Sequence, residues 1–309
     1  MADLTPQASA CPPCAERLRP DLNGMRTIVQ PGPVAAERSQ VVKTMSALVT
    51  LTLSPGRSLL AAVTEALAPW GTGSAVLTIR GGALFPFAYA IPALPKTPDH
   101  AAYFSDTFRV DAPVRIDTAA VTYGQRNGQP WLHCHASWTQ ANGARGCGHV
   151  IPDEAYVDEA IEVSACLIEH AGFQVTADAE TNFSLFQPQA TGLPMLASDK
   201  PALAVRLAPN QDVCTALEDL CHQHGMTGAE VKGGVGSTVG ALFDDGRVVE
   251  PFATEVLIRQ GRVFTNARGE LQAELDVTLV DHSGAMAEGR LKRGANAVLM
   301  TFELVLVPV

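Results

Sequence analysis

Aromatic residues make up only 6% of the 309-residue chain and charged residues only 17%, while hydrophobic residues reach 47%. A chain this poor in charge is not a disordered polyelectrolyte, and it has the apolar content to bury a core in each of two ordinary domains. Basic residues are the minority: 22 Lys and Arg against 32 Asp and Glu, for a net charge of -10. Without a basic excess, a general affinity for phosphate backbones is not expected, and nucleic acid is an unlikely partner. No apolar run reaches the roughly 20 residues of a membrane helix. The opening MADLTPQASACPPCAERLRP has no apolar signal-peptide core, so the expected location is cytoplasmic. Seven cysteines, an odd number, fit reduced thiols better than a disulfide framework. Cys11 and Cys14 form a C-P-P-C pair, but no second CxxC completes a four-thiolate site. The pair reads as inert.

What the chain does have is an internal repeat. LTLSPGRSLLAAVTEALAPWG followed by AVLTIRGG lies against VRLAPNQDVCTALEDLCHQHG followed by AEVKGGVG. Each reads as a strand, a turn with Pro, an amphipathic helix and a strand ending in paired glycines. Leu59, Val63 and Leu67 recur every four residues, as do Val213, Leu217 and Cys221, the spacing of one buried helix face. Asn210 is the expected N-cap of the second helix, and Gly71 and Gly225 are the expected stops. Further on, GQPWLHCHASWTQANGARGCGHV lies against GELQAELDVTLVDHSGAMAEGRL with Gly128, Gly143 and Gly148 matching Gly269, Gly284 and Gly289. Both read as β-hairpins. VDEAIEVSACLIEH matches the final NAVLMTFELVLVPV. The first copy carries two extras, an insertion around ALPKTPDHAAYFSD and a tail, GFQVTADAETNFSLFQP. The expected division is an extension at 1–45, a first domain at 46–190, a linker at 191–202 and a second domain at 203–309.

His133 and His135 are two apart in a strand, so both face one side and Cys134 the other. The position of His149 depends on the turn. A two-residue Asn142-Gly143 turn would place it opposite Ala136, on the wrong face. A three-residue loop, Ala141-Asn142-Gly143, would place it opposite His135. The second register gathers three imidazoles on one face, a donor set suited to zinc or another divalent transition metal with a position left open. Cys147 would share that face, opposite Ser137, as a fourth ligand or a wall residue. The second copy has Glu274, Asp276 and Arg290 at these positions. Asp276 is expected to face Arg290 and Glu274 to face Lys292, as ion pairs in place of an ion.

These residues resemble the plants-and-prokaryotes-conserved (PPC) domain family, whose members show a short helix, a glycine-rich strand end, a strand with L-H-x-H and a hairpin partner ending G-G-H. Here the motif reads Leu132-His133-Cys134-His135 and Gly146-Cys147-Gly148-His149, with Cys147 in place of a glycine. The second copy keeps the frame without the histidines. The resemblance implies an α+β fold of two domains, each a mostly antiparallel sheet with a packed helix. It also implies a homo-oligomer, since single-domain members form trimers with the histidine site near subunit contacts. The Arg-Gly-Arg-Pro AT-hook of plant members is missing.

Three functions follow as expectations. The first is a metal-dependent lyase or hydrolase acting on a small carboxylate. For it, Arg80 would hold the carboxylate bidentately, and Gly81 and Gly82 would let substrate approach the backbone. Glu154, Asp153, Asp111 or His100 would supply a general base, and the insertion would form a lid. The second is a metal-stapled scaffold. The third is a DNA-associated regulator, which needs a basic surface that the composition does not offer.

Overall fold

The computed structural model describes residues 17–22, 24–192 and 200–309. The C-P-P-C pair and most of the expected linker lie outside them.

The strands that build the frame are β1 (Ser39–Leu53), β2 (Ala75–Ile79), β3 (Val114–Arg126), β4 (Gln129–Gln140), β5 (Arg145–Val150), β6 (Ile161–Glu169), β7 (Ala171–Ala177) and β8 (Ser184–Ala190). They continue with β9 (Lys200–Leu207), β10 (Gly228–Leu242), β11 (Val248–Thr265), β12 (Leu271–Asp281), β13 (Met286–Arg290) and β14 (Val298–Pro308). Helix α1 is Leu59–Leu67 and α2 is Val213–Gln223. With two short α-helices against so many strands, the described residues are more sheet-rich than an α+β reading suggests.

The repeat is visible as topology. In the first half the antiparallel order is β1-β6-β2-β3-β4-β5, and in the second it is β9-β14-β10-β11-β12-β13. The halves join where β1 pairs antiparallel with β9, from Ser46↔Lys200 to Ser39↔Leu207. The result is one continuous sheet of 17 strands in all. Ordered structure thus enters the segment read as an extension, since β1 begins at Ser39. The strands Leu18–Pro20 and Arg26–Ile28 also lie in that segment. Arg26 there donates to the Val239 and Val249 carbonyls of the second half.

Each half buries one sheet face beneath its helix. Leu59, Val63 and Leu67 of α1 join Leu77, Val121, Leu132 and Trp138 in one core. Val213, Leu217 and Cys221 of α2 join Val256, Leu275 and Phe302 in the other. Polar groups punctuate the helices. Ser58 caps α1 by accepting from the Ala61 N–H. For α2 the sequence expectation needs correction: Asp212, not Asn210, is the cap, accepting from the Thr215 N–H at 2.8 Å. Asn210 instead has φ 66, which asparagine tolerates better than most residues, and its side chain pairs with both backbone groups of Ile28. Gly71 and Gly225 stop the helical segments at φ 63 and 66 as expected.

The opposite sheet faces meet each other. Val76, Cys166 and Phe173 of the first half pack with Ala204, Val305 and Val307 of the second. Ala120 and Cys147 pack with Val235, Leu257 and Val280. The curl of the sheet therefore brings the β4–β5 hairpin of the first half over β11 and β14 of the second. No helix among the described residues is long and apolar enough to cross a membrane.

Candidate metal centre

The β4–β5 hairpin adopts the three-residue loop. Gly143 has φ 82 and its N–H donates to the Gln140 carbonyl, while the Gln140 N–H donates to the Ala144 carbonyl. The ladder then pairs His135 with His149 and Ser137 with Cys147. Side chains alternate along a strand, so this register alone puts His133, His135 and His149 on one face. One ligand atom from each lies within 4.8 Å of the other two.

Acidic residues from the second half complete the centre. His133 donates from Nδ1 to Glu303 Oε2 on β14 at 3.0 Å. His135 donates from Nδ1 to the Val256 carbonyl on β11 at 2.9 Å. Each ring turns its Nε2 inward, and these two atoms are 3.0 Å apart. Glu255 Oε2 lies 2.7 Å from His135 Nε2 and 3.9 Å from His149 Nδ1. Neither Glu255 Oε2 nor His149 Nδ1, both buried, makes a hydrogen bond of acceptable geometry. Several nitrogen and oxygen atoms able to ligate thus converge in one buried space. Unpaired polar groups are costly there, and a divalent cation satisfies them all. Ligand rings whose outer N–H is held by a carboxylate or carbonyl are the usual supporting arrangement of a histidine metal site. The residues present therefore fit a metal.

The electrostatics agree. Burial pushes His149 down to about 3, against the attraction of Glu255, so its ring is neutral and able to ligate. Burial also acts to lower His133, but attraction and hydrogen bonding from Glu303 outweigh it and leave the ring above its ordinary value. Burial acts to raise Glu255, and the attraction of His135, His149 and His133 more than offsets this, holding the carboxyl below its ordinary value.

The centre opens into a cavity of about 420 Å³, within the range of small-molecule sites. Both extras of the first half enclose it. The insertion contributes His100, Tyr103 and Phe104, and the β7–β8 hairpin formed by the tail contributes Phe183 and Phe186. Phe104 packs against His149 with ring centroids 5.0 Å apart. The second half supplies Ser237, Thr254 and Met300 as well as the two glutamates.

Of the other expected site residues, only His100 lines this cavity, its ring packed on Tyr103 and Phe183. Glu154 is paired with Arg109, and Asp111 and Asp153 are exposed at the surface. Arg80 points elsewhere. It donates to the Arg259 carbonyl and lines a separate groove with its counterpart Lys232. Gly81 and Gly82, at φ 78 and 82, turn the chain at that place, and a Cβ on Gly82 would meet Ile161 Cγ1 at 2.5 Å. A Cβ on Gly81 would meet nothing within 4 Å, and neither glycine lines the histidine cavity. Cys147 has the expected face and opposes Ser137, but it is walled into the apolar layer between the halves. Burial raises its thiol well above the ordinary range, so it offers no ligand here.

In the second half, Asp276 meets Arg290 through two contacts of 3.1 and 3.2 Å, as expected. Glu274 does not face Lys292. It pairs with Arg262 at 2.7 Å and Arg290 at 3.1 Å, because the ladder ends at Arg290 and Lys292 leaves it to bond the Leu242 carbonyl. Sequence reasoning missed Glu255 and Glu303. The available signal was a lone acidic residue within each apolar run, Thr254-Glu255-Val256-Leu257 and Phe302-Glu303-Leu304-Val305. A buried charge in such a run needs a partner.

Residues 197–309 match the family model of the Plants and Prokaryotes Conserved (PCC) domain, so the match falls on the half without the histidines. Similar solved structures include a plant- and prokaryote-conserved protein of Pyrococcus horikoshii, at 13% identity and TM-score 0.36, covering 53% of this chain and 100% of that one. A metal-containing protein of Archaeoglobus fulgidus shows 18% identity and TM-score 0.39 over 46% and 94% of the two chains. A Ralstonia eutropha protein whose name suggests DNA binding shows 15% identity and TM-score 0.32 over 47% and 90%. No curated protein matches the chain.

Proposed function

We propose that this protein is a tandem member of the PPC (PCC) family. In this reading residues 46–190 and 203–309 are its two domains, and the first carries a metal-dependent catalytic centre. The reaction belongs to the lyase or hydrolase class: hydrolysis, hydration or elimination, or decarboxylation of a small anionic metabolite. The observation that carries this reading is the convergence of His133, His135 and His149 with Glu255 in one cavity. A divalent ion held by the three imidazoles, zinc being well suited to that donor set, would polarise a substrate carbonyl or bring the pKa of water towards 7. The chain's own residues do the rest. Glu303 and the Val256 carbonyl fix the orientation of two of the rings. Glu255 Oε2, 2.7 Å from His135 Nε2 and 3.9 Å from His149 Nδ1, is the carboxylate placed to take or give a proton beside the rings. Phe104 and Phe183 give the cavity an aromatic wall beside the rings. His100, on the cavity wall, is the remaining candidate acid or base from the sequence. Five buried free thiols among the described residues accord with a reducing compartment such as the cytoplasm.

The test is metal analysis of protein purified beside a His133→Ala variant. About one equivalent per chain is expected in the parent and loss in the variant; equal metal in both overturns the reading.

A second reading, the metal as a staple between the halves, is favoured by the contribution of Glu255 and Glu303 from the opposite repeat. Chelation separates the two. An enzyme loses turnover with its fold retained, whereas a stapled scaffold loosens.

A further inference from the structure

We propose that Arg126 is the substrate's carboxylate anchor, and that the substrate is a flat aromatic carboxylate carrying an oxygen donor at its far end for the metal. This rests on the metal-site reading above and deepens it. Arg126, at the end of β3, is the one Arg or Lys among the described residues lining the histidine cavity. It forms no ion pair or hydrogen bond among the described residues. Its guanidinium is held only over the Trp131 ring, 5.2 Å from the centroid. Such a contact orients the plane and leaves the donor fork free.

Trp131 and His133 lie two residues apart on β4 and face the same side, a step of about 6.5–7 Å. Arg126, over Trp131, and the histidine cluster thus line the same cavity from neighbouring places along β4. The cavity is bounded by Phe104, Phe183, Phe186 and Leu132, which suits a flat apolar body. Thr254 donates its hydroxyl to the Thr238 carbonyl. Arg126 is therefore the positively charged donor that the lining offers an entering anion. The two carboxylates at the inner end, Glu255 and Glu303, disfavour a second negative charge there unless the metal takes it up.

The probe is terephthalate, which has carboxylates at opposite ends of one ring, compared by calorimetry with neutral terephthalamide on zinc-loaded protein. Saturable millimolar or tighter binding of terephthalate is expected, with terephthalamide much weaker. Arg126→Gln should weaken terephthalate by about tenfold or more, the worth of a charged hydrogen-bonded contact. It should leave terephthalamide, zinc content and the thermal midpoint unchanged. Arg126→Lys, which keeps the charge without the fork, should fall between. Absence of saturable terephthalate binding, equal binding of the neutral diamide, or an Arg126→Gln protein that binds terephthalate as tightly as its parent would each overturn the proposal. Zinc retention in His133→Ala is scored separately. Full zinc in that variant defeats the metal reading even where the Arg126 dependence stands.

Discussion

Glu255 Oε2 lies 2.7 Å from His135 Nε2, although the two residues belong to different repeats and are separated by the interface between the two sheet faces. On the far side of the same ring, Nδ1 donates to the carbonyl of Val256, the next residue after Glu255. One stretch of β11 therefore both sets the tautomer of the ligand and places a carboxylate beside its metal-binding nitrogen. The second repeat has no histidines at the matching positions and lends wall residues and two carboxylates to the site of the first.

The support from the second repeat is measurable. Glu303→Gln keeps the shape and removes the charge that holds His133 Nδ1. Metal affinity should drop by about 10–100-fold, the usual effect of losing such a partner. Competition with a chromogenic chelator reads this directly. Unchanged affinity would mean that His133 needs no help from β14.

Metal should also stabilise the fold in proportion to its free concentration. At about 100 times the dissociation constant, a ligand that binds only the native state adds about 2.7 kcal/mol. Denaturant melts of the parent with and without zinc should show this gain, and His133→Ala should not. A gain of the same size in the variant would place the ion elsewhere.

The second repeat should hold no ion at the matching place. Glu274 and Asp276 are paired there with Arg262 and Arg290. Arg290→Ala is expected to leave the metal content at one per chain. It should cost no more than about 1 kcal/mol, since the pair is partly exposed and screened. A second equivalent of metal in the parent protein would refute the pairing argument.

Gly148 is required by close approach. A Cβ there would lie 2.5 Å from the Ala90 carbonyl oxygen, on the strand that pairs with His149. Gly148→Ala should destabilise by roughly 1–3 kcal/mol through overpacking. It should also weaken metal binding, because the strand that carries His149 has to move. Stability loss with intact affinity would show that the hairpin adjusts without disturbing the ligands.

The two hairpins are linked by Arg145 and Glu288 at 2.6 Å. Burial acts to raise the Glu288 carboxyl, but the Arg145 hydrogen bond and charge outweigh it, so the folded pKa is below the ordinary 4.5. The stabilisation is then present above pH 4.5 and is lost as pH falls through the lower folded value. Its size should be about 1 kcal/mol or less given the exposure of both groups. Comparing Glu288→Gln with the parent by thermal melts across pH 3 to 7, the difference should close towards the acid end. A gap that stays constant would assign the effect to packing.

Local chemistry settled a great deal in advance. Four-residue spacing fixed both helices, and the glycine register fixed the repeat. Two-residue alternation put His133 and His135 together, and the left-handed Gly143 admits the loop that adds His149. These are short-range consequences of backbone geometry, so they are legible along the chain. The pairing of β1 with β9, the folding of the insertion and tail over the site, and the arrival of Glu255 and Glu303 beside the imidazoles depend on how two sheet faces pack. Arg80 and Cys147 were drawn to other surroundings by the same packing. Contacts between residues more than a hundred positions apart follow from burial of whole faces, for which no spacing rule exists, and so the tertiary structure alone decided which charges meet the metal position.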